Sequence, residues 1–174
     1  MMLDIARLLL FPALMAFAAA SDLLTMTISN RISLALGVSF LALALMSGMP
    51  AFDILAHLGA GATVLVVSFG CFAMGWVGGG DAKVVSAAAL WFGFDHLMNF
   101  LLYASLFGGA LTLLLLQFRQ WPLPYALAGQ TWLIRLHAKE NRVPYGIALA
   151  IGALMIYPET EWIRAVDLSH LALR

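Results

Sequence analysis

The fold of this chain is decided by residues 78–118, which read GGGDAKVVSAAALWFGFDHLMNFLLYASLFGGALTLLLLQF. The apolar part, residues 84–118, is too long for one ordinary transmembrane helix, which needs about 20 apolar residues, and it is short for two. Gly93, Asp95 and His96 lie where a turn between two helices would be needed. The stretch therefore predicts either one long helix or two helices joined at this turn.

The composition of the chain indicates a small membrane protein. Of its 174 residues, 63% are apolar and 10% are charged, whereas ordinary soluble domains have about 45–50% and about 25%. The high hydrophobicity excludes a disordered chain, and the zero net charge argues against nucleic-acid binding. We expect an all-α, polytopic integral membrane protein that forms a single domain over residues 1–174 in the lipid bilayer.

Apolar segments of sufficient length predict six transmembrane helices if the long stretch is divided. Division places six basic residues on one side of the membrane and three on the other, whereas an undivided stretch gives four and five. Because cytoplasmic loops are enriched in Lys and Arg, the count favours six helices with both chain ends outside the cytoplasm. The predicted helices are residues 5–20, 32–46, 54–76, 82–93, 96–118 and 143–157.

Two segments have a second interpretation. Arg7, the apolar run after it and the small residues Ala16 and Ala18 resemble a cleavable signal peptide, although Asp4 cancels the charge of Arg7. Residues 125–139 belong to the longest polar-leaning stretch and form either an interfacial helix or an ordinary cytoplasmic loop.

Two acidic residues occur where a membrane protein rarely has them. Asp22 directly follows the first apolar run, and Asp81 follows three glycines at the start of the fourth predicted helix. A helix of residues 82–93 rises only about 18 Å, against about 30 Å of hydrocarbon, so Asp81 is expected below the membrane surface in a hydrated pocket. Alternatively, Asp81 caps its helix and Asp22 is a solvated acid at a helix end.

Two carboxyl groups on the same side of the membrane favour proton chemistry. Close together in a poor dielectric they cannot both ionise, so they share a proton. The ionised group can take a proton from water while the protonated one polarises a peptide carbonyl, which hydrolyses an amide without a metal or another cofactor. The alternative is a proton-coupled transporter, although such proteins often contain internal repeats, and the two halves of this chain show no convincing one.

Three motifs resemble those of the type IV prepilin peptidases, a family of intramembrane aspartic peptidases. Residues 22–30, DLLTMTISN, resemble the first aspartate motif, with Asn30 eight positions after Asp22. Residues 78–83, GGGDAK, match the GxGD signature, and residues 142–147, RVPYGI, resemble the late Pro-Tyr-Gly motif. The order and spacing of the motifs and the six-helix layout agree with that family, so the resemblance covers most of the chain.

The resemblance implies a GxGD-type aspartic endopeptidase of the bacterial inner membrane, with Asp22 and Asp81 as the catalytic pair near the cytoplasmic face. Its substrates would be prepilin or pseudopilin precursors, from which the family removes a short leader just before a hydrophobic helix. Cys71 is the only cysteine, so the four-cysteine zinc element of methyltransferase-containing members is missing. The chain is therefore similar to the short CpaA/TadV-type peptidases of tight-adherence (Flp) pilus assembly. A non-catalytic subunit of pilus assembly is a third interpretation.

The same motifs supply residues that would bind substrate or support the pair. Asn30 would form a hydrogen bond with the pair or cap the second helix. Lys83 would extend to the membrane interface, stabilise the ionised form of Asp81 or contact the substrate. The four histidines lack ligand spacing, so no metal is expected, and the sequence does not indicate an oligomeric state. The supporting residues are Asn30, Gly78, Gly80, Lys83, Pro144, Tyr145 and Gly146.

Overall fold

The computed structural model describes residues 1–123, 129–138 and 142–166. Within these ranges the chain consists of helices and connecting segments without a strand, so the predicted all-α class is confirmed. Its helices are α1 (Met2–Thr25), α2 (Asn30–Met46), α3 (Ala51–Ala73), α4 (Gly79–Phe118), α5 (Thr131–His137), α6 (Tyr145–Ile156) and α7 (Glu161–Arg164), with a 3-10 turn at Tyr157–Glu159.

The long helices turn apolar side chains outward, as contact with lipid requires. Three helices, α1, α3 and α4, are long and apolar enough to cross a membrane, while α2 and Tyr145–Glu159 are shorter apolar helices. Only 22% of the most apolar stretch of each long helix is buried. Val66, Met98 and Leu113 are 73%, 74% and 70% exposed. An apolar surface of this extent indicates a membrane protein.

Helix α4 reverses its direction at Gly93. This residue has φ 57° and ψ −169°, a conformation that glycine adopts and other residues avoid. Residues eight positions apart in a straight helix are separated by about 12 Å, but the ring centroids of Phe92 and Phe100 are 4.7 Å apart. Asp81 and Ala104 also line one cavity. The two arms, residues 79–92 (α4a) and residues 94–118 (α4b), therefore lie side by side.

The observed helices differ from the predicted segments mainly at their ends. The long stretch is divided as predicted, but Asp95 and His96 are helical rather than part of a turn, because one glycine with positive φ reverses the chain. Helix α1 continues past Asp22 to Thr25. Helix α5 falls within the predicted interfacial helix, of which residues 125–128 and 139 lie outside the described residues.

An aromatic cluster joins the helices at the end of the bundle where α4 reverses. Trp91 is buried, and its ring centroid is 5.0 Å from that of Phe11 and 5.2 Å from that of Trp162. The indole N–H of Trp162 donates to the carbonyl of Trp91 at 2.9 Å, and that of Trp91 donates to the carbonyl of Leu36 at 3.1 Å. Each aromatic pair contributes about 0.5–1.5 kcal/mol beyond its buried area, so the cluster fixes α1, α2 and α7 against α4a.

Charged residues divide between the two ends of the bundle. The end with the aromatic cluster, here called the Arg7 end, has a cavity of about 490 Å³ lined by Arg7, Asp53, Asp95 and Glu161. The opposite end, called the Asp81 end, contains both Asp22 and Asp81. Among the described residues, the basic side chains of this end include Arg31, Lys83, Arg119, Arg135 and Arg142.

Candidate active site

The C-terminal turn of α1 positions Asp22. Helix α1 ends at Thr25, and Met26 adopts the left-handed conformation with φ 56°, which turns the chain back. The hydroxyl group of Ser21 donates to the carbonyl of Thr27 at 3.0 Å and fixes this turn, while that of Thr25 lies 2.7 Å from the carbonyl of Ser21 and 3.0 Å from that of Thr27. Asp22 thus lies on a rigid helix end, and it is only 6% exposed.

A backbone hydrogen bond joins Asp22 to the start of α6. The N–H of Gly146 donates to Oδ2 of Asp22 at 2.7 Å. This N–H belongs to the first turn of α6, which follows the buried Pro144, and donors there have no partner within the helix. A Cβ atom on residue 146 would lie 2.9 Å from Cβ and Oδ2 of Asp22, so the contact requires glycine.

The first turn of α4 positions Asp81. Gly78 is the N-cap residue and Asp81 the third helical residue, so the interpretation of Asp81 as the cap is wrong. A Cβ atom on residue 78 would lie 2.7 Å from Oδ2 of Asp81. Glycine therefore leaves the space that this carboxyl group occupies. This explains on steric grounds why the first residue of the GGGD motif is glycine.

The two acids lie within electrostatic reach of each other, although they come from different helices. Ile28, in the segment after α1, connects their surroundings. A Cβ atom on Gly80 would lie 3.2 Å from Cβ of Ile28, and one on Gly146 would lie 3.1 Å from its Cδ1. The segment that leaves α1 thus packs between the starts of α4 and α6, which brings Asp22 and Asp81 to one place.

Arg142 brings positive charge next to Asp81. A Cβ atom placed on Gly78 would lie 2.7 Å from Oδ2 of Asp81 and 3.7 Å from Nη1 of Arg142, so both side chains lie next to this glycine. The positive charge of Arg142 therefore acts on the carboxyl group of Asp81. The buried Arg119, just after α4, donates to the carbonyl of Arg142 at 3.3 Å and to that of Leu136 at 2.8 Å. The end of α4b therefore holds the segment that leads into α6.

Sequence reasoning assigned no role in the site to Arg119, Arg142 or Ile28. The signals for the two arginines were present, since Arg142 directly precedes the Val-Pro-Tyr-Gly run and Arg119 ends a long apolar run. Ile28 has no comparable signal, because an apolar residue in a membrane protein is expected to pack against something in any case.

The other predicted residues surround the two acids. Lys83 is exposed, and its Nζ donates to Oδ1 of Asn30 at 2.8 Å, which joins α4 to α2. Ser29 caps α2 by accepting a backbone N–H at 3.3 Å, so the interpretation of Asn30 as the cap is wrong: the hydroxyl one residue earlier already occupies that position. The hydroxyl groups of Tyr145 and Thr112 are 3.0 Å apart, which joins α6 to α4b.

An apolar groove extends from Asp81 along the bundle. Its volume is about 620 Å³, and Asp81 and Tyr145 are among the residues that line it. Helix α3 lines the groove between Thr63 and Cys71, and α4b lines the facing side between Leu97 and Ser105. We call this feature the Asp81 groove.

The arrangement suits acid–base chemistry on a peptide that reaches the Asp81 end. One carboxyl group, that of Asp22, accepts a backbone N–H, and the other, that of Asp81, lines the groove. In the described ranges, no group of three or more His, Cys, Asp or Glu residues has the arrangement of a metal site.

One of the comparisons with known proteins gave a match. A family model described as the type IV leader peptidase family matches residues 9–113, which contain Asp22, Asp81 and the glycines before Asp81. Comparison with curated proteins and comparison with solved structures gave no match. Because the match extends over more than half of the chain and includes both acids, the chain belongs to the type IV leader peptidase family.

Proposed function

We propose that this leader peptidase is an aspartic endopeptidase that removes the short leader peptide from type IV prepilins or pseudopilins of the Flp/Tad kind. The observation that carries the proposal is the pairing of Asp22 with Asp81 at one end of the bundle, within the residues that match the family. Family membership supports a prepilin-type substrate, and the groove beside Asp81 gives such a substrate a path to the acids.

The different surroundings of the two acids support different roles. The N–H of Gly146 stabilises negative charge on Asp22, so we assign the ionised carboxylate to Asp22. Asp81 lines the groove, so its carboxyl group is the one that meets the scissile peptide. In this assignment the pair holds one proton in the resting state, on Asp81.

Hydrolysis then proceeds without a covalent intermediate. Asp22 takes a proton from water as the water oxygen bonds to the peptide carbon, and Asp81 gives its proton to the carbonyl oxygen. The tetrahedral intermediate collapses when Asp22 passes its proton to the leaving nitrogen and the carbon–nitrogen bond breaks. The carbonyl re-forms and returns its proton to Asp81, which restores the starting state.

We also propose six membrane spans, with the Asp81 end at the cytoplasmic face of the bacterial inner membrane. Counting α4a and α4b separately, the apolar helices are α1, α2, α3, α4a, α4b and α6. The positive-inside rule supports this orientation. In the part of the chain that the structure describes, the Asp81 end has Arg31, Lys83, Arg119, Arg135 and Arg142, whereas the Arg7 end has Arg7 and Arg164.

The test is a processing assay with a co-expressed Flp-type prepilin, read as the gel shift on leader removal. Asp22→Asn and Asp81→Asn should each abolish the shift at unchanged protein level, while Asp53→Asn, an exposed acid at the Arg7 end, should process normally. Full processing by either active-site variant would refute the catalytic pair. Proton flux that depends on both acids, without cleavage of any precursor, would favour a transporter.

A further inference from the structure

Arg142 is attached to the bundle through its backbone and not through its charge. The buried Arg119 donates to the carbonyl of Arg142 at 3.3 Å, and a carbonyl is a group that every residue supplies. Arg142 itself is exposed, and within the described ranges its guanidinium forms no ion pair with a carboxylate. The charged side chain therefore has a task other than holding the segment before α6.

The guanidinium of Arg142 and the carboxyl group of Asp81 both adjoin Gly78. The space that a Cβ atom would fill on this glycine is 2.7 Å from Oδ2 of Asp81 and 3.7 Å from Nη1 of Arg142. No side chain at residue 78 separates the two groups. The positive charge therefore acts on Asp81 over a short distance.

The other ionisable groups around Asp81 do not supply such a positive charge. They come from four helices and are Asp22 of α1, Cys71 of α3, Lys83 of α4 and Tyr145 of α6. Lys83 is the cation among them, and its Nζ donates to Oδ1 of Asn30 at 2.8 Å. Among the described residues, Arg142 is thus the cation whose charge acts on Asp81.

The proposed hydrolysis moves one negative charge from Asp22 to Asp81. In the resting state Asp22 is the carboxylate and Asp81 holds the shared proton. When the water oxygen bonds to the peptide carbon, Asp22 gains a proton and becomes neutral. Asp81 gives its proton to the carbonyl oxygen and keeps the electron pair of its O–H bond. The negative charge then lies on Asp81 until the tetrahedral intermediate collapses.

We propose that Arg142 stabilises the negative charge on Asp81 in the tetrahedral intermediate and in the transition states on either side of it. This role rests on the proposed function, because it requires the proton positions assigned there. The N–H of Gly146 stabilises the charge while it lies on Asp22, and Arg142 stabilises it after it has moved. An interaction that is stronger in the transition state than in the ground state raises kcat, so Arg142 serves the chemical step and not substrate binding.

Removing the charge without removing the backbone attachment tests this role. Arg142→Gln keeps the carbonyl that Arg119 binds, and Arg142→Lys keeps a positive charge. Arg31→Gln, which removes an exposed arginine at the same end of the bundle, is the matched control. The measurement is single-turnover cleavage of a purified Flp-type precursor by purified protein in detergent, because this separates chemistry from binding.

Arg142→Gln should lower the single-turnover rate about tenfold, and the enzyme concentration for half-maximal rate should stay within about twofold of the wild-type value. The expected loss is modest because Arg142 is exposed and water screens its charge. Arg142→Lys should remain within about threefold of the wild-type rate, and Arg31→Gln within about twofold.

The pH dependence distinguishes the effect of the charge from a displacement of the segment. The active pair holds one proton, so the rate falls when the pair loses this proton at high pH or gains a second one at low pH. A nearby cation favours loss of a proton in both steps. Arg142→Gln should therefore shift both limbs of the rate profile to higher pH by about one pH unit. The wild-type protein, Arg142→Lys and Arg31→Gln should share one profile.

The outcomes separate this role from the proposed function. If the wild-type protein cleaves the precursor and Arg142→Gln matches Arg31→Gln in rate and in pH profile, the role of Arg142 is overturned and the peptidase proposal stands. The same conclusion follows if Arg142→Gln is slower without a shift in its pH profile, if Arg142→Lys does not restore the rate, or if only the half-maximal concentration changes. If the wild-type protein cleaves no prepilin, both proposals are overturned.

Discussion

Gly146 donates its backbone N–H to Oδ2 of Asp22 at 2.7 Å, and the two residues are 124 positions apart in the chain. The bond connects the end of the first helix to the start of a helix that lies beyond the residues matched by the family model. The late Pro-Tyr-Gly motif therefore contributes a backbone donor, in addition to any side chain, to the proposed catalytic pair.

The close approach of Gly146 to Asp22 makes Gly146→Ala damaging. The added Cβ would lie 2.9 Å from the Asp22 carboxyl oxygen, so either the carboxylate or the start of α6 must move. A displacement of about 1 Å at a catalytic group costs about a hundredfold in rate, which we expect in a precursor-processing assay. Gly109→Ala, which meets no atom within 4 Å, is the control, and equal processing by both variants would contradict the role of this contact.

Arg119 should affect activity through the segment that it holds. Arg119→Leu removes the hydrogen bonds to the carbonyls of Arg142 and Leu136, so the segment before α6 loses its attachment to α4b. We expect processing to fall about tenfold because Gly146 and Arg142 shift relative to the two acids. Arg164→Leu removes an exposed arginine at the Arg7 end and should process normally. An Arg119→Leu enzyme with unchanged kcat/KM would show that the attachment is not needed.

Gly93→Ala should destabilise the fold in two ways. Alanine is strained at φ 57°, and its Cβ would lie 3.0 Å from the His57 ring, so the free energy of unfolding should fall by roughly 3 kcal/mol. Gly48 also has positive φ, +68°, but open space around it, so Gly48→Ala carries a backbone cost of about 1 kcal/mol and no clash. Unfolding in detergent measures both variants, and a loss for Gly93→Ala no larger than that for Gly48→Ala would contradict this prediction.

The hydrogen bond between Lys83 and Asn30 should contribute little to stability. Both residues are exposed, and the interaction energy in a double-mutant cycle of Lys83→Met and Asn30→Ala should lie at about 0.2–1 kcal/mol. Unfolding of the two single variants and the double variant gives this energy. A value well above that range would indicate that the bond between α2 and α4 is part of the architecture of the site.

The features predictable from sequence are those with a signal in residue type and spacing. Asp22 and Asp81 stand out because a carboxyl group beside an apolar run is costly, and the structure brings them to one end of the bundle. The division of the long stretch was also predictable, since its length suits neither one helix nor two ordinary ones.

Other features depend on backbone groups and on space, which residue type does not reveal. The N–H of Gly146 is common to all residues except proline, so nothing in the sequence marks it as the partner of Asp22. The reversal at Gly93 needs only one residue, so Asp95 and His96 are helical despite their polar character. Ser29 and Asn30 are both favourable caps, and the position of the first helical residue decided between them.

The one-residue reversal at Gly93 has a consequence for how the protein is made. The arm of residues 79–92 rises about 21 Å, which is less than the hydrocarbon thickness of about 30 Å, so it is a poor insertion signal by itself. No polar loop separates it from the longer arm that follows. We therefore expect both arms to leave the insertion machinery together as a preformed helical hairpin.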